Sequence, residues 1–279
     1  MSKKNILVTG ISSGFGQAIA AEALSNGDTL IGTVRKESDR QTVLATMPDC
    51  HCYLLDVTEH GSISNLIETI INQHGHIDVL INNAGYGHEG ILEESTIDDM
   101  RQQFEVNVFG PVAMVKAVLP YMRAQKSGHI VNITSMGGFI TMPGIAYYCG
   151  SKFALEGISE VLSKELAQLN IKVTAVAPGS FKTDWAGRSM IRTQRFISDY
   201  DELFNPIREK RKQASGKQLG NPKLAAEAIL NVIHHSKPPV HLLLGSDALT
   251  LVRDKMTWLS SEIDKWQDTT KSTDSASII

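Results

Sequence analysis

Residues 9–16 read Thr-Gly-Ile-Ser-Ser-Gly-Phe-Gly, and they join two elements of different period. The apolar run 6–8 before them is typical of a buried strand, whereas apolar residues in 17–24 recur with the period of a helix. Glycines in such a turn allow backbone N–H groups to approach a phosphate, and the helix N-terminus favours its negative charge. The residues predicted to form a phosphate-binding turn are Gly10, Ser12, Ser13, Gly14, Phe15 and Gly16.

Short β-branched runs alternate with longer segments of helical period along the chain. Because strands that alternate with helices form a parallel sheet covered on both faces, the pattern predicts one α/β domain over residues 1–268. Right-handed crossovers make such a sheet doubly wound, with ligands beyond the carboxyl ends of its strands. Seven strands are predicted, at residues 6–8, 30–34, 53–55, 79–81, 129–133, 173–177 and 240–244.

Two segments interrupt this alternation. Residues 182–219 are rich in Arg, Lys, Ser and Gln and are longer than a normal connection, so they are either a substrate lid or a disordered loop. Residues 269–279 have almost no apolar content, which predicts a frayed, disordered tail.

Composition and charge exclude several function classes. A net charge of -3 and a pI near 6.3 give no basic field for nucleic acid or for an anionic membrane. No run approaches the roughly 20 apolar residues of a membrane span, and the first apolar run is too short for a secretory signal, so we expect a cytoplasmic protein. The run Cys50-His51-Cys52 lacks the spacing of a zinc site, and we expect no metal.

Further landmarks follow the glycine turn in a fixed order. Asn83-Ala84-Gly85 follows the fourth predicted strand, and Pro178-Gly179 follows the sixth. Between them and after them come Asn107, Ser135, Tyr148, Lys152 and Thr183. Together with the glycine turn, this order resembles the short-chain dehydrogenase/reductase family from about Lys4 to Thr183. Residues 82–110 and the 182–219 segment are similar to the branch that includes hydroxysteroid and retinol dehydrogenases.

Tyr148 and Lys152 are separated by four positions, so they share one face of a helix. A tyrosine with its ordinary pKa near 10 is a poor base at neutral pH, but a neighbouring ammonium favours the phenolate. Tyr148 is therefore the candidate general acid/base. Ser135 ends the fifth predicted strand at the same crevice, where its hydroxyl can hold and polarise a substrate carbonyl.

Other landmarks leave two interpretations open. Asn107 either distorts its helix by bonding the backbone or, as the resemblance implies, serves a water-mediated proton relay to Lys152. The pair Asp56-Val57 either makes a turn or contacts adenine, as the resemblance implies. The family pattern also places Asn83-Ala84-Gly85 beneath the adenine ribose.

The cofactor is predicted to be NADP(H) rather than NAD(H). Folds that prefer NAD usually carry an acid near the end of the second strand, about 20 residues past the glycines, which bonds the ribose 2′-hydroxyl. Here that position holds Val34, followed by the cations Arg35 and Lys36, which can pair with a 2′-phosphate. The alternative is that Arg35 is solvated and that Glu37 serves NAD.

The predicted function is an NADP(H)-dependent oxidoreductase that interconverts a carbonyl and an alcohol, with a hydrophobic small-molecule substrate. Two alternatives share the fold: a nucleotide-sugar epimerase or dehydratase, and a catalytically silent NADP(H)-sensing protein. The apolar helices that begin near Thr96 and Tyr147 predict a homodimer or a homotetramer, whereas residues 246–268 could cover a surface used for tetramers. The residues predicted to bind the nucleotide, besides the glycine turn, are Arg35, Asp56, Val57, Asn83, Ala84, Gly85, Tyr148, Lys152, Pro178, Gly179 and Thr183.

Overall fold

A computed structural model describes residues 3–183, 187, 189–214 and 216–275 of the chain. Seven strands form one parallel sheet in the order β3-β2-β1-β4-β6-β7-β9, which confirms the predicted doubly wound architecture and its seven strands. Two short strands, β5 and β8, form a separate parallel pair. The strands are β1 Asn5–Thr9, β2 Thr29–Val34, β3 His51–Leu54, β4 Val79–Asn82, β5 Gly87–Glu89, β6 Gly128–Ile133, β7 Ile171–Pro178, β8 Met190–Arg192 and β9 His241–Leu244.

Helices cover both faces of the large sheet. Side chains on one face of β1, including Ile6 and Val8, pack against α1 and α8, whereas Leu7 on the other face packs against α3 and α5. Because both faces are buried, the strands are continuously apolar rather than alternating. The helices are α1 Gly14–Ser25, α2 Glu37–Thr46, α3 His60–His74, α4 Ile97–Phe104, α5 Gly110–Gln125, α6 Ala146–Leu166, α7 Asp201–Ala214, α8 Pro222–His234, α9 Ser246–Lys265 and α10 Gln267–Lys271.

The strand order reverses between β1 and β4, since the chain winds outward to β2 and β3 and then returns to form β4, β6, β7 and β9. Connections that diverge from neighbouring strands leave a crevice beyond their carboxyl ends. The glycine turn after β1 and the residues after β4 meet at this crevice. Strands β6 and β7 end along the same edge of the sheet, so their loops lie beside it.

The segment 182–219 contains regular structure within its described residues, so it is not a loop throughout, and its role as a substrate lid stays a prediction. It includes β8, paired with β5, and the 14-residue helix α7. Two buried carboxylates hold it: Glu89 of β5 lies 3.2–3.3 Å from the guanidinium nitrogens of Arg192, Arg208 and Arg211, and Glu94 lies 2.6 Å from Arg195. These ion pairs join residues far apart in sequence, so local composition does not reveal the structure.

Phe204 of α7 is the apolar anchor of this segment. Its side chain is fully buried, and its ring lies over Gly144, where any Cβ would overlap the ring. Gly144 also has a φ of +77°, which L side chains rarely adopt. The loop before α6 is therefore shaped to receive α7.

The C-terminal region consists of α9 and α10. Residues 267–271, within which the predicted frayed tail begins, form the short exposed helix α10, and residues 276–279 lie outside the described residues. Within the described parts of the chain, no helix has the length and apolar character that crossing a membrane requires.

We expect Phe204→Ala to cost about 3–5 kcal/mol of local stability, the usual range for a buried phenylalanine. Amide hydrogen exchange should accelerate in α7 and leave the central strands unchanged, because a peripheral element can open without global unfolding. The neighbouring Leu203→Ala is the matched control, since Leu203 is 56% exposed and should leave exchange unaffected. Equal exchange in both variants would contradict the anchoring role.

Candidate active site

The glycine turn after β1 depends on backbone conformations and spacings that side chains would prevent. Gly10 and Gly14 have φ values of +72° and +58°. A Cβ at Gly16 would overlap the Gly10 carbonyl oxygen and the Asn83 side-chain nitrogen. The three glycines therefore allow α1 to begin directly against the end of β1.

Asn83 and Thr9 fasten this turn to the loop after β4. Asn83 Nδ2 donates to the carbonyl oxygens of Thr9, at 2.8 Å, and Gly10, at 3.0 Å. Thr9 Oγ1 in turn accepts from the backbone N–H groups of Asn83 and Ala84, each at 3.0 Å. This asparagine therefore has a structural role in shaping the crevice.

The N-terminus of α1 has the properties of an anion site. Its N-cap residue, Ser13, makes no side-chain capping hydrogen bond, so the first N–H groups of α1 keep their donor capacity toward the crevice. Phe15 packs on Phe181 with ring centroids 5.1 Å apart, and the side chain of Thr183 would contact a Cβ at Gly14. The uncapped helix N-terminus beside the glycine turn fits the negative charge of a dinucleotide pyrophosphate.

Tyr148 lies in the first turn of α6, and its hydroxyl is hydrogen-bonded to Ser135. Ser135 follows β6 with extended backbone, and its Oγ also accepts from the Gly137 N–H at 3.0 Å. Burial raises the pKa of Tyr148 above its usual value, and the Ser135 hydrogen bond opposes this effect. The structure thus brings together the two hydroxyls that the sequence predicted to be neighbours.

Lys152 lies one helical turn after Tyr148 and is also buried. Its Nζ donates to the Ile133 carbonyl oxygen at 2.8 Å and lies 5.8 Å from the centre of the Tyr148 ring. Burial lowers the pKa of Lys152 to about 8, although the nearby Glu156 carboxylate favours the charged form. The lysine is therefore not an ordinary solvated helix lysine.

Glu156, one further turn along α6, is a site residue that the sequence reasoning missed. It is buried, accepts from Thr134 Oγ1, and lies 2.7 Å from Nδ1 of the partly exposed His241 on β9. Burial raises the pKa of Glu156, whereas the hydrogen bonds of Thr134 and His241 oppose this shift. The four-residue spacing of Tyr148, Lys152 and Glu156 was visible in the sequence, but the contact with His241 was not.

Asn107 lies in a wider π-helical turn, Glu105–Phe109, that joins α4 to α5. Its Oδ1 accepts from the Tyr86 N–H at 3.2 Å, and its Nδ2 donates to the Tyr86 carbonyl at 3.1 Å and to Ser151 Oγ at 3.2 Å. The asparagine therefore fixes the chain that follows Gly85. The helix is wider at this residue, but these hydrogen bonds go to Tyr86 and Ser151 rather than to its own helix backbone, so both interpretations of Asn107 stay predictions.

Arg35 is exposed and is the first residue after β2, whereas Val34 before it is buried in the core. Glu37, the residue that could serve NAD, begins α2 and pairs with Arg40 at 3.1 Å. The strand end is therefore followed by an exposed cation, and the acid at the first residue of α2 is paired with a residue one turn further along the helix.

Four further predicted residues lie at or just after strand ends near the crevice. Asp56 Oδ1 accepts from the N–H and the hydroxyl of Thr58, at 3.0 and 2.8 Å. This carboxylate oxygen therefore stabilises a turn. Val57 beside it is buried. After β7 and Pro178, Gly179 lies against Asp247, where a Cβ would overlap the carboxylate.

Comparisons with known proteins agree with this geometry. The family model "short chain dehydrogenase" matches residues 4–192. Oxidoreductase BOA17 of Botryotinia fuckeliana is 37% identical over 263 residues, covering 94% of this chain and 96% of the relative. The 3-ketodihydrosphingosine reductase of Bacteroides thetaiotaomicron is 36% identical over 261 residues, covering 93% and 94%. Human retinol dehydrogenase 8 is 33% identical over 254 residues, covering 85% and 80%.

Solved structures share the fold over most of the chain. A short-chain dehydrogenase from Streptomyces avermitilis has a TM-score of 0.91 and 38% identity, covering 98% of this chain and 99% of its own. ElxO with NADP bound has a TM-score of 0.75 and 26% identity, covering 89% and 100%. A protein from Burkholderia phymatum in complex with NAD has a TM-score of 0.79 and 25% identity, covering 95% of each chain. The chain therefore belongs to the short-chain dehydrogenase/reductase family and is an oxidoreductase that acts on CH–OH groups with a nicotinamide cofactor.

Proposed function

We propose that this protein interconverts a hydrophobic ketone or aldehyde and its alcohol with NADP(H), and that Tyr148 is the general acid/base. The observation that carries the proposal is the arrangement of Tyr148, Ser135 and Lys152. The tyrosine hydroxyl is bonded to Ser135, and the buried ammonium lies 5.8 Å from the phenol ring, at the edge of the sheet where the glycine turn lies.

Each of the three side chains has a distinct task in this proposal. The nicotinamide, when bound, supplies or accepts the hydride. Ser135 holds and polarises the substrate oxygen, and Tyr148 donates a proton to it or removes one from it. Because burial raises the pKa of Tyr148, the phenol is neutral before reaction, which suits proton donation to a carbonyl. Lys152 stabilises the phenolate that this donation leaves.

The glycine turn and its neighbours are proposed to hold the cofactor. The α1 N-terminus receives the pyrophosphate, and Lys152 with Tyr148 holds the nicotinamide ribose. Direct contact of Asp56 and Val57 with adenine, and a water-mediated relay through Asn107, are parts of the same proposal. The other residues proposed to line the nucleotide are Gly10, Ser12, Ser13, Gly14, Phe15, Gly16, Arg35, Asn83, Ala84, Gly85, Pro178, Gly179 and Thr183.

Arg35 supports the proposed preference for NADP(H). Arg35 is exposed directly after β2, and in dinucleotide folds the adenosine 2′ position lies near the end of this strand. Its guanidinium can form a bidentate pair with a phosphate there. Of the solved structures named above, ElxO binds NADP and the Burkholderia phymatum protein binds NAD. They therefore support a nicotinamide cofactor but do not distinguish NADP(H) from NAD(H).

A hydrophobic substrate is supported by two relatives, a 3-ketodihydrosphingosine reductase and a retinol dehydrogenase, whose names both denote lipid-like substrates. The apolar residues that follow Pro178-Gly179 fall into two groups in the structure. Phe204 and Phe181 pack within the chain, and Trp185 lies outside the described residues. Ile191, Leu203 and Phe196 are exposed and remain available for substrate or for a neighbouring molecule.

We also propose a cytoplasmic homo-oligomer. The apolar residues predicted to form its interface are partly covered by the chain itself, since Val108, Val115, Val118 and Leu155 are buried. The exposed members that remain for a partner are Phe153 and Val161 of α6.

We expect Tyr148→Phe to lower turnover by about 10²–10⁴-fold, the usual contribution of a general acid/base, and to leave NADPH affinity nearly intact. Lys152→Ala should damage both properties. The assay is NADPH oxidation with a panel of apolar ketones and aldehydes, with affinity from fluorescence titration. Tyr147→Phe is the control, because the Tyr147 hydroxyl bonds the Ser95 carbonyl instead. Turnover of Tyr148→Phe within about tenfold of the parent, roughly 1.4 kcal/mol in barrier, would refute its role.

We expect Arg35→Ala to lower kcat/KM for NADPH by about tenfold to a hundredfold and to change kcat/KM for NADH little, since only NADPH carries the 2′-phosphate. Arg35 alone is changed because Val34 is buried and a carboxylate there would be desolvated. Lys36→Ala serves as the comparison for loss of a nearby positive charge. A parent enzyme that prefers NADH, or equal losses with both cofactors, would overturn the assignment.

We expect Glu156→Gln to lower the pKa of Lys152 further below about 8, because the carboxylate favours the ammonium form. With the pKa lowered, Lys152 would lose its charge at a lower pH, and the basic limb of the activity profile should move down in pH. The measurement is lysine side-chain NMR, with the Lys152 signal assigned by its loss in Lys152→Ala. The exposed Glu165→Gln on the same helix is the control. An unchanged Lys152 titration would show that the two charges are uncoupled.

A further inference from the structure

Helix α9 carries apolar residues at a strict heptad spacing. Leu249, Val252, Met256, Leu259, Ile263 and Trp266 alternate steps of three and four residues, with the last member at the C-terminal end of the helix. These six residues are called the α9 stripe below. Their mean spacing of 3.5 residues is the repeat of a helix that packs along another helix.

The body of the protein covers very little of this helix. The buried residues of α9 are Ala248 and Val252, both near its N-terminus. The other members of the α9 stripe are exposed: Leu249 41%, Met256 48%, Leu259 41%, Ile263 61% and Trp266 63%. An amphipathic helix is normally stabilised by burial of its apolar face, so this stripe is the kind of surface that marks an interaction site.

The N-terminal end of α9 is held firmly to the sheet. Asp247 Oδ2 accepts from the Ser180 N–H at 2.8 Å, and the carboxylate lies against Gly179 after β7. The Gly179 N–H donates to the Leu244 carbonyl at 2.8 Å. The helix therefore projects from a fixed base, and its direction relative to the sheet is set.

The charges on α9 favour a second copy of this chain over a lipid surface as its partner. Residues 246–265 contain three basic and four acidic side chains, so α9 lacks the basic excess that binds an anionic membrane. Lys255 and Glu262 lie seven residues apart, each directly before a member of the stripe. In an antiparallel pair of identical helices, such flanking positions face each other and carry opposite charges.

We propose that the α9 stripe packs against the α9 stripe of a second copy of this chain, as an antiparallel two-helix coiled coil. A two-fold axis near Trp258 places Lys255 beside Glu262 of the partner subunit, and the same pair recurs on the other side of the axis. Within one chain, Lys255 Nζ lies 3.8 Å from the centre of the Trp258 ring, and Glu262 pairs with Lys265 at 2.6 Å. Both are contacts within one helix, and neither covers the exposed members of the α9 stripe. This interface is separate from α5 and α6 and is independent of the proposed catalytic function.

The first test removes the apolar contact. The double variant Met256→Glu with Leu259→Glu places two charges in the stripe, and Thr257→Glu with Ser261→Glu places two charges on the exposed opposite side. Molecular mass is measured by sedimentation equilibrium from 1 to about 100 μM. We expect the parent and the control to share one mass and the stripe variant to show half of it. A monomeric parent at every concentration, an unchanged mass in the stripe variant, or an equal loss in both variants would overturn the proposal.

The second test reads the orientation of the two helices. Lys255→Glu or Glu262→Lys alone places like charges together, so each should weaken the association, and the two changes together should restore it. In a parallel pair, the same positions face Ser260 and Gln267 of the partner subunit, and the single changes would have no such effect. Failure of the double variant to recover would overturn the antiparallel arrangement. Circular dichroism and NADPH binding serve as checks that every variant keeps the parent fold.

Discussion

The site depends on the close approach of two backbone segments at the crevice between β1 and β4. Asn83 Nδ2 donates to the carbonyl oxygens of Thr9 and Gly10. Gly16 lies so near that a Cβ there would overlap Asn83 Nδ2 and the Gly10 carbonyl oxygen. Side chains are excluded there by sterics, and the helix N-terminus is left facing the crevice. The backbone N–H groups proposed to receive the anionic cofactor therefore have positions that follow from the sheet itself.

Helix α6 places the proposed acid/base and two charged neighbours at a spacing of four residues. Tyr148, Lys152 and Glu156 lie on one face, and all three are buried. Burial disfavours the charged form of each, which raises the pKa of the phenol and carboxyl groups and lowers that of the ammonium. The same burial strengthens the attraction between opposite charges. The site therefore combines a neutral phenol with a lysine whose charge is sensitive near neutral pH.

The sequence predicted the seven strands of the large sheet and their parallel arrangement, because strands buried on both faces are continuously apolar. It also placed Ser135, Tyr148 and Lys152 in one crevice, since strand ends and helical spacing are local features. It missed the β5–β8 pair, the anchoring of 182–219, and the contact of Glu156 with His241. Each of these joins residues far apart in the chain, so no periodicity records them. Expected contacts of Asp56 and Asn107 remain predictions, although both side chains also have structural partners.

The nucleotide part and the substrate part of the proposed site are built by different forces, which explains why the sequence indicates the cofactor class but not the substrate. Glycines and strand ends, which are local signals, build the nucleotide half. The other half rests on ion pairs such as Arg192 to Glu89, which join residues 103 positions apart. A buried carboxylate with three guanidiniums around it fixes the position of β8 and α7 without prescribing the exposed side chains between them. Exposed residues such as Phe196 can therefore vary while the scaffold stays the same, which suits the substrate role proposed for this segment.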